Sequence, residues 1–148
     1  MASAGEKFRM AMGKWADKAG TQLEGLARQS IQNISRAVVE QTPVDTGFLR
    51  GNWQPAIGEA KVADPDTVEH DVAGALAAAA ISLTVAEMKL GDVFRMRNGC
   101  AYARRLEYGF VGPDSLGRVY NQAGRFYVRD TLLTWPQVVS NTAKDLKL

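Results

Sequence analysis

The chain holds one cysteine, Cys100, and one histidine, His70, in 148 residues. A single cysteine excludes an intrachain disulfide and points to synthesis in a reducing cytoplasm. The ordinary role of such a thiol is that of a small buried packing residue. His70 lies between Glu69 and Asp71 in a polar stretch, and no second histidine or cysteine stands at metal-ligand spacing, which argues against a zinc site. No serine sits in a nucleophile-elbow context and no phosphate-cradling glycine motif occurs, so neither a hydrolase triad nor a nucleotide-binding enzyme is indicated. Excess charge of one sign is missing too. Eighteen Lys and Arg against sixteen Asp and Glu leave a formal +2, without the strongly basic face of a nucleic-acid binder. The longest uncharged run, Val72 to Ala86, is alanine-rich and shorter than the ~20 residues a bilayer span needs. Met1 to Arg9 lacks the apolar centre of a signal peptide. No enzyme activity, metal, cofactor, membrane association or secretion is therefore expected.

What is present is an ordinary globular balance, 46% hydrophobic and 23% charged, suited to one domain over residues 1–148. Phe8, Met12, Trp15, Ala19, Leu23, Leu26, Ile31, Ile34 and Val38 recur mostly three or four positions apart, which predicts a long amphipathic helix over about 6–41. Gly13, Gly20 and Gly25 each cost about 1 kcal/mol relative to alanine, so a break near Gly20 is an alternative, giving two shorter helices on one core. An unbroken helix would run roughly 50 Å, longer than a small domain is wide, and one end would project toward a neighbouring molecule. Thr42-Pro43 ends it, and Val44-Asp45-Thr46-Gly47 makes a turn.

Phe48 to Ala60 reads as a strand, with Pro55 marking an edge or bulge. A polar linker, Val62 to Asp71, leads to a middle helix over about Val72 to Lys89, with Leu76, Ala80, Leu83 and Glu87 on one face. Val93 to Asn98 alternates Phe94 and Met96 against Arg95 and Arg97, the period of a half-buried strand, and Asn98-Gly99 signals a turn. Ala101 to Tyr108 suits a short helix closed by Gly109. Phe110 to Gly124 reads as a long surface loop. In the C-terminal element, 125–148, Val128, Leu132, Trp135, Val139, Ala143 and Leu146 keep helical spacing. Pro136 demands either a kink or a strand before a helix that begins there. The fold class is α+β: a long N-terminal amphipathic helix, a small mostly antiparallel sheet, a middle helix and a C-terminal helix.

Two clusters stand out. The first, Thr42 to Trp53, reads on local physics as a helix stop, a hydrogen-bonded turn and a strand entry anchored by Phe48 or Trp53. The second runs from Tyr102 to Gly109. Tyr102 and Leu106, one helical turn apart, are both expected to be buried. Arg104 shares a face with Tyr108 and stands within reach of Glu107 for a weak ion pair. A catalytic Glu107 would need an acid–base partner that the sequence does not identify.

Together the clusters resemble the signature of a neck and tail-completion protein family of tailed bacteriophages. The matching positions are Asp45, Thr46, Gly47, Arg50, Asn52 and Trp53, then Asn98, Tyr102, Ala103, Leu106, Glu107, Tyr108 and Gly109, with Phe126 to Pro136 similar to the family's closing element. Gly99, Cys100 and Ala101 depart from the family, many members of which carry a second asparagine and then a proline before the tyrosine. The loop after Gly109 departs as well.

The resemblance implies a structural virion protein. It would form a homo-oligomeric ring, six copies by analogy, at the head–tail junction between the portal complex and the tail. Double-stranded DNA would pass through the lumen without sequence-specific binding. The long helix, the loop and the C-terminal helix are the expected contact elements. A tail-terminator ring is the near alternative. A small DNA-binding module, suggested by Arg95, Arg97, Arg104, Arg105, Arg118, Arg125 and Arg129, is the more distant one.

Overall fold

A computed structural model describes residues 1–59 and 63–148. Helix α1, Ala4–Gln41, is continuous. Its start is fixed by a capping box in which Ser3 Oγ accepts from the Glu6 amide and Glu6 accepts from the Ser3 amide, satisfying two donors that a helix start otherwise leaves unpaired. Those bonds hold the Glu6 carboxyl below its usual range. There is no break at Gly20: glycine lowers helix propensity without removing a hydrogen bond, and only proline does both. The helix ends where expected, Thr42 turning its amide and hydroxyl back onto Val38 O.

The expected strand from Phe48 is a correction. Phe48–Gly51 forms a single helical turn, α2, and strand β1 covers only Trp53–Ile57; Ala60, the end of the expected strand, lies outside the described residues. A 3-10 turn at Pro65–Thr67 leads to α3, Ala75–Glu87. Strand β2, Phe94–Asn98, pairs antiparallel with β1, Trp53 opposite Asn98 and Pro55 opposite Met96. Phe94 and Met96 are half-buried and Arg95 and Arg97 exposed, as the alternation predicts.

Helix α4, Ala103–Tyr108, runs directly into a second ribbon. Strand β3, Gly109–Pro113, pairs antiparallel with β4, Val119–Ala123, so the expected loop over 110–124 is a β-hairpin. Asp114 closes its tip, accepting from the amides of Leu116 and Arg118 and from the Arg118 guanidinium. Partial burial works against the Asp114 carboxylate, but these bonds outweigh it and lower the pKa. Helices α5, Tyr127–Leu132, and α6, Trp135–Asp145, follow. Pro136 falls in the first turn of α6, where its missing amide costs nothing.

The core gathers α1, α2, β1, α3 and α5 around Val38, Val39, Leu49, Trp53, Ile81, Val85 and Tyr127. In helix α3, Leu76, Ala80, Leu83 and Glu87 share one face as expected, and it is the outer one. Ala77, Ile81, Val85 and, just past its end, Met88 are buried, while Leu76 and Leu83 face solvent at 50% and 72% exposure. The C-terminal stripe likewise faces partly outward. Tyr127, Thr131 and Thr142 are buried, and Leu132, Trp135 and Leu146 lie outside.

Candidate functional site

The helix stop and its turn are held by side chains that answer unpaired carbonyls. The last carbonyls of α1 have no partner within the helix. Arg50 supplies donors, its guanidinium reaching Glu40 O at 3.0 Å, Thr42 O at 3.0 Å and, on its other arm, Val72 O at 2.7 Å. One cation therefore ties the negative end of α1 to the chain entering α3. Trp53 is 8% exposed, and its indole N–H donates to Thr42 Oγ1 at 2.8 Å in the interior. Gly47 has φ +86, and an added Cβ would lie 2.5 Å from the Val72 amide. Only glycine allows that backbone approach. Gly47 O in turn accepts from Asp71 N at 3.0 Å. Asp45 and Thr46 are exposed on the turn, where Thr46 Oγ1 accepts from the Phe48 amide.

The second cluster locks onto the C-terminal element. Glu107 is 5% exposed. Its carboxylate accepts from the amides of Val128 and Arg129, both at 2.9 Å, rather than pairing with Arg104. A buried charge is thereby met by two donors at the positive start of α5. Backbone bonds from Arg125 N to Leu106 O and from Phe126 N to Glu107 O complete the junction. Gly109, at φ +83, passes so close to β4 that a Cβ would meet Gln122 O at 2.5 Å. Tyr127 donates to Ala103 O; burial pushes its phenol up to about 12, helped by the negative charge of Glu107.

Tyr102 is a correction: it is 43% exposed, not buried. It leans on Phe48, ring centroids 6.3 Å apart. Tyr108 is 64% exposed and Leu106 half-buried. Asn98 joins the clusters, donating to Leu49 O at 2.8 Å and accepting from Cys100 N. Cys100 is buried, and His70 is exposed with its ring edge-on to Phe48.

Between the clusters and the hairpin lies an open cavity of 580 Å³. Asp45 and Thr46 border it on one side and Tyr102 and Leu106 on another, with Phe110 and Tyr120 of the hairpin opposite. Arg105 lies over the Phe110 ring at 4.1 Å, and Arg118 is paired with Asp114 at 2.6 Å. Aromatic rings and guanidiniums of this kind are enriched in protein interfaces. Among the described residues, no group of three His, Cys, Asp or Glu is placed to hold a metal ion, and no helix is long and apolar enough to cross a membrane.

The structure thus divides the motif residues. Gly47, Arg50, Trp53, Glu107 and Gly109 hold the frame together, while Asp45, Thr46, Tyr102, Leu106 and Tyr108 line the cavity or face solvent. Asp71 escaped sequence reasoning. It is 5% exposed and accepts from Ala77 N, and its only sequence signal was an acidic residue just ahead of a helix.

The third feature is α1 itself. Every residue from Met1 to Lys18 is exposed, including Phe8 at 66% and Trp15 at 66%. Burial begins only toward Ser30 and Ile34.

No protein-family model, no curated protein and no solved structure matches the chain.

Proposed function

We propose that this chain is a structural subunit of the neck of a tailed bacteriophage, a ring-forming protein that joins the portal complex to the tail around the DNA exit channel. The observation that carries the ring is the bare half of α1. A capped helix whose large apolar side chains, Phe8, Met12 and Trp15, stand largely exposed calls for a neighbour to cover them. The head–tail location comes from the resemblance of the two clusters and the closing element to the neck and tail-completion family, and six copies is the stoichiometry by the same analogy. It would be made in the host cytoplasm and act in the virion.

Function here is holding. Arg50, Trp53 and Glu107 fix the turn, α4 and α5 relative to α1, so surfaces on the hairpin and on α1 keep a set spacing. A closed ring needs two different surfaces on each subunit, and the bare helix supplies one that is distinct from the faces of the subunit body. Duplex DNA would be cargo in the lumen, because Arg105, Arg118 and Arg129 are turned onto rings or carboxylates of their own chain.

Electron microscopy of particles carrying a tagged copy tests the reading. The expected result is density for the tag at the head–tail junction with cyclic symmetry. Tag density confined to the capsid shell or the tail tip, or complete particles without the chain, would refute it.

A further inference from the structure

Helix α1 runs antiparallel to α3: Gln32 bonds Ser82, and Arg28 reaches the Met88 carbonyl beyond the end of α3. From Arg28 back to Ala4 the helix continues for about 36 Å at 1.5 Å per residue, and from Lys18 to Ala4 every residue is exposed. Phe8, Met12 and Trp15 follow one another at steps of four and three, 66%, 46% and 66% exposed. Lys7, Arg9, Lys14 and Lys18 flank that stripe, and among the described residues no ion pair engages them.

A second face has the opposite character. On the outer side of α3, Leu76, Ala80 and Leu83 follow the same steps of four and three, and the alanines leave room for large side chains. Leu76 and Ala80, together with Val68 and Glu69 of the linker, border a groove of 230 Å³. An apolar cavity of ~150 Å³ accepts benzene, so this groove has room for an indole. Glu69 borders it, Asp66 stands three residues earlier in the same linker, and Glu87 lies two turns beyond Ala80 on the same face of α3; all three are exposed. The subunit's own overhang cannot cover this face, because α1 packs on the opposite side of α3, against Ile81 and Val85, and then runs away past Met88.

We infer that the occupant of this outer face is α1 of a second copy, with Trp15 or Phe8 seated in the groove beside Leu76 and the lysines and Arg9 set against Asp66, Glu69 and Glu87. The inference rests on the ring reading and names the contact within it. Because overhang and groove are different surfaces, the contact repeats head to tail, as a closed ring requires.

Charge exchange tests it. In one variant, Lys7, Arg9, Lys14 and Lys18 are all changed to Glu. In the other, Asp66→Lys, Glu69→Lys and Glu87→Lys are combined. Circular dichroism first checks that both keep the parent's helix content. Light scattering on the purified full chains should show self-association of each variant alone weakened about tenfold or more, as like charges across an interface are. An equimolar mixture should recover the parent's assembly, since every overhang then meets a groove of opposite charge. If the parent assembles and both variants assemble equally well, or if the mixture of folded variants fails to recover, the contact is wrong while the ring reading stands. A parent that stays monomeric overturns both, and assigns these faces to a different protein.

Discussion

One helix lives in two environments. At its C-terminal end, Ile34, Val38 and Val39 are 6%, 2% and 2% exposed, and Arg50, Thr42 and Trp53 answer its final turn. At the other end Phe8, Met12 and Trp15 are 66%, 46% and 66% exposed, although the apolar spacing is the same. A hydrophobic stripe states that a helix has an apolar side; it does not state whose surface covers it. The capping box at Ser3 and Glu6 shows that the exposed half is specified as helix in its own right.

Substitutions at the two ends should therefore behave oppositely. Trp53→Ala is expected to have the largest effect on folding, lowering the free energy of unfolding by about 3 kcal/mol through the cavity it leaves and the bond it removes from Thr42; urea titration measures this. A loss under about 1 kcal/mol would mean that the turn is not an anchor.

Glu107→Ala should cost about 2 kcal/mol, since the Val128 and Arg129 amides lose their acceptor at the start of α5. Hydrogen exchange should quicken at those two amides first. Uniform exchange with unchanged stability would separate the second cluster from the frame.

Alkali offers a finer probe of the same junction. The Tyr127 phenol is held protonated, its pKa raised from 10.0 to about 12. Its contribution to stability is complete below the unfolded pKa near 10 and is lost as pH climbs from there through the folded value. Tyr127→Phe should flatten that part of the stability–pH curve, and an unaltered slope would assign the alkaline loss elsewhere.

Smallest of all should be Phe8→Ala with Trp15→Ala, which is expected to leave unfolding within about 0.5 kcal/mol of the parent while self-association falls. A large drop in monomer stability would erase the contrast between the two ends.

Periodicity made α1, β2 and the Gly109 stop legible, because each is a local pattern. It failed where the pattern is absent or ambiguous. Helix α3 is apolar nearly all round, so nothing in its own residues distinguishes Ile81 and Val85 from Leu76 and Leu83; packing against α1 decides. The hairpin was hidden by Gly112, Pro113 and Gly117 and by strands in which apolar and polar residues do not alternate. Phe48–Gly51 contains Leu49 and Arg50, both good helix formers, and is a single helical turn following Gly47, which approaches Asp71 and Val72 closely. At the candidate site, Gly47 and Gly109 could be placed from turn chemistry. The roles of Arg50 and Glu107 could not, since their partners lie up to 22 residues away and exist only once the chain has folded.

The overhang also has a mechanical side. A rod gripped at one end magnifies whatever happens at the grip: with about 21 Å of exposed helix between Lys18 and Ala4, a tilt of some 10° carries the tip about 4 Å. Small strains at the Arg50 clasp would thus reach an adjacent subunit as displacements the size of a side chain.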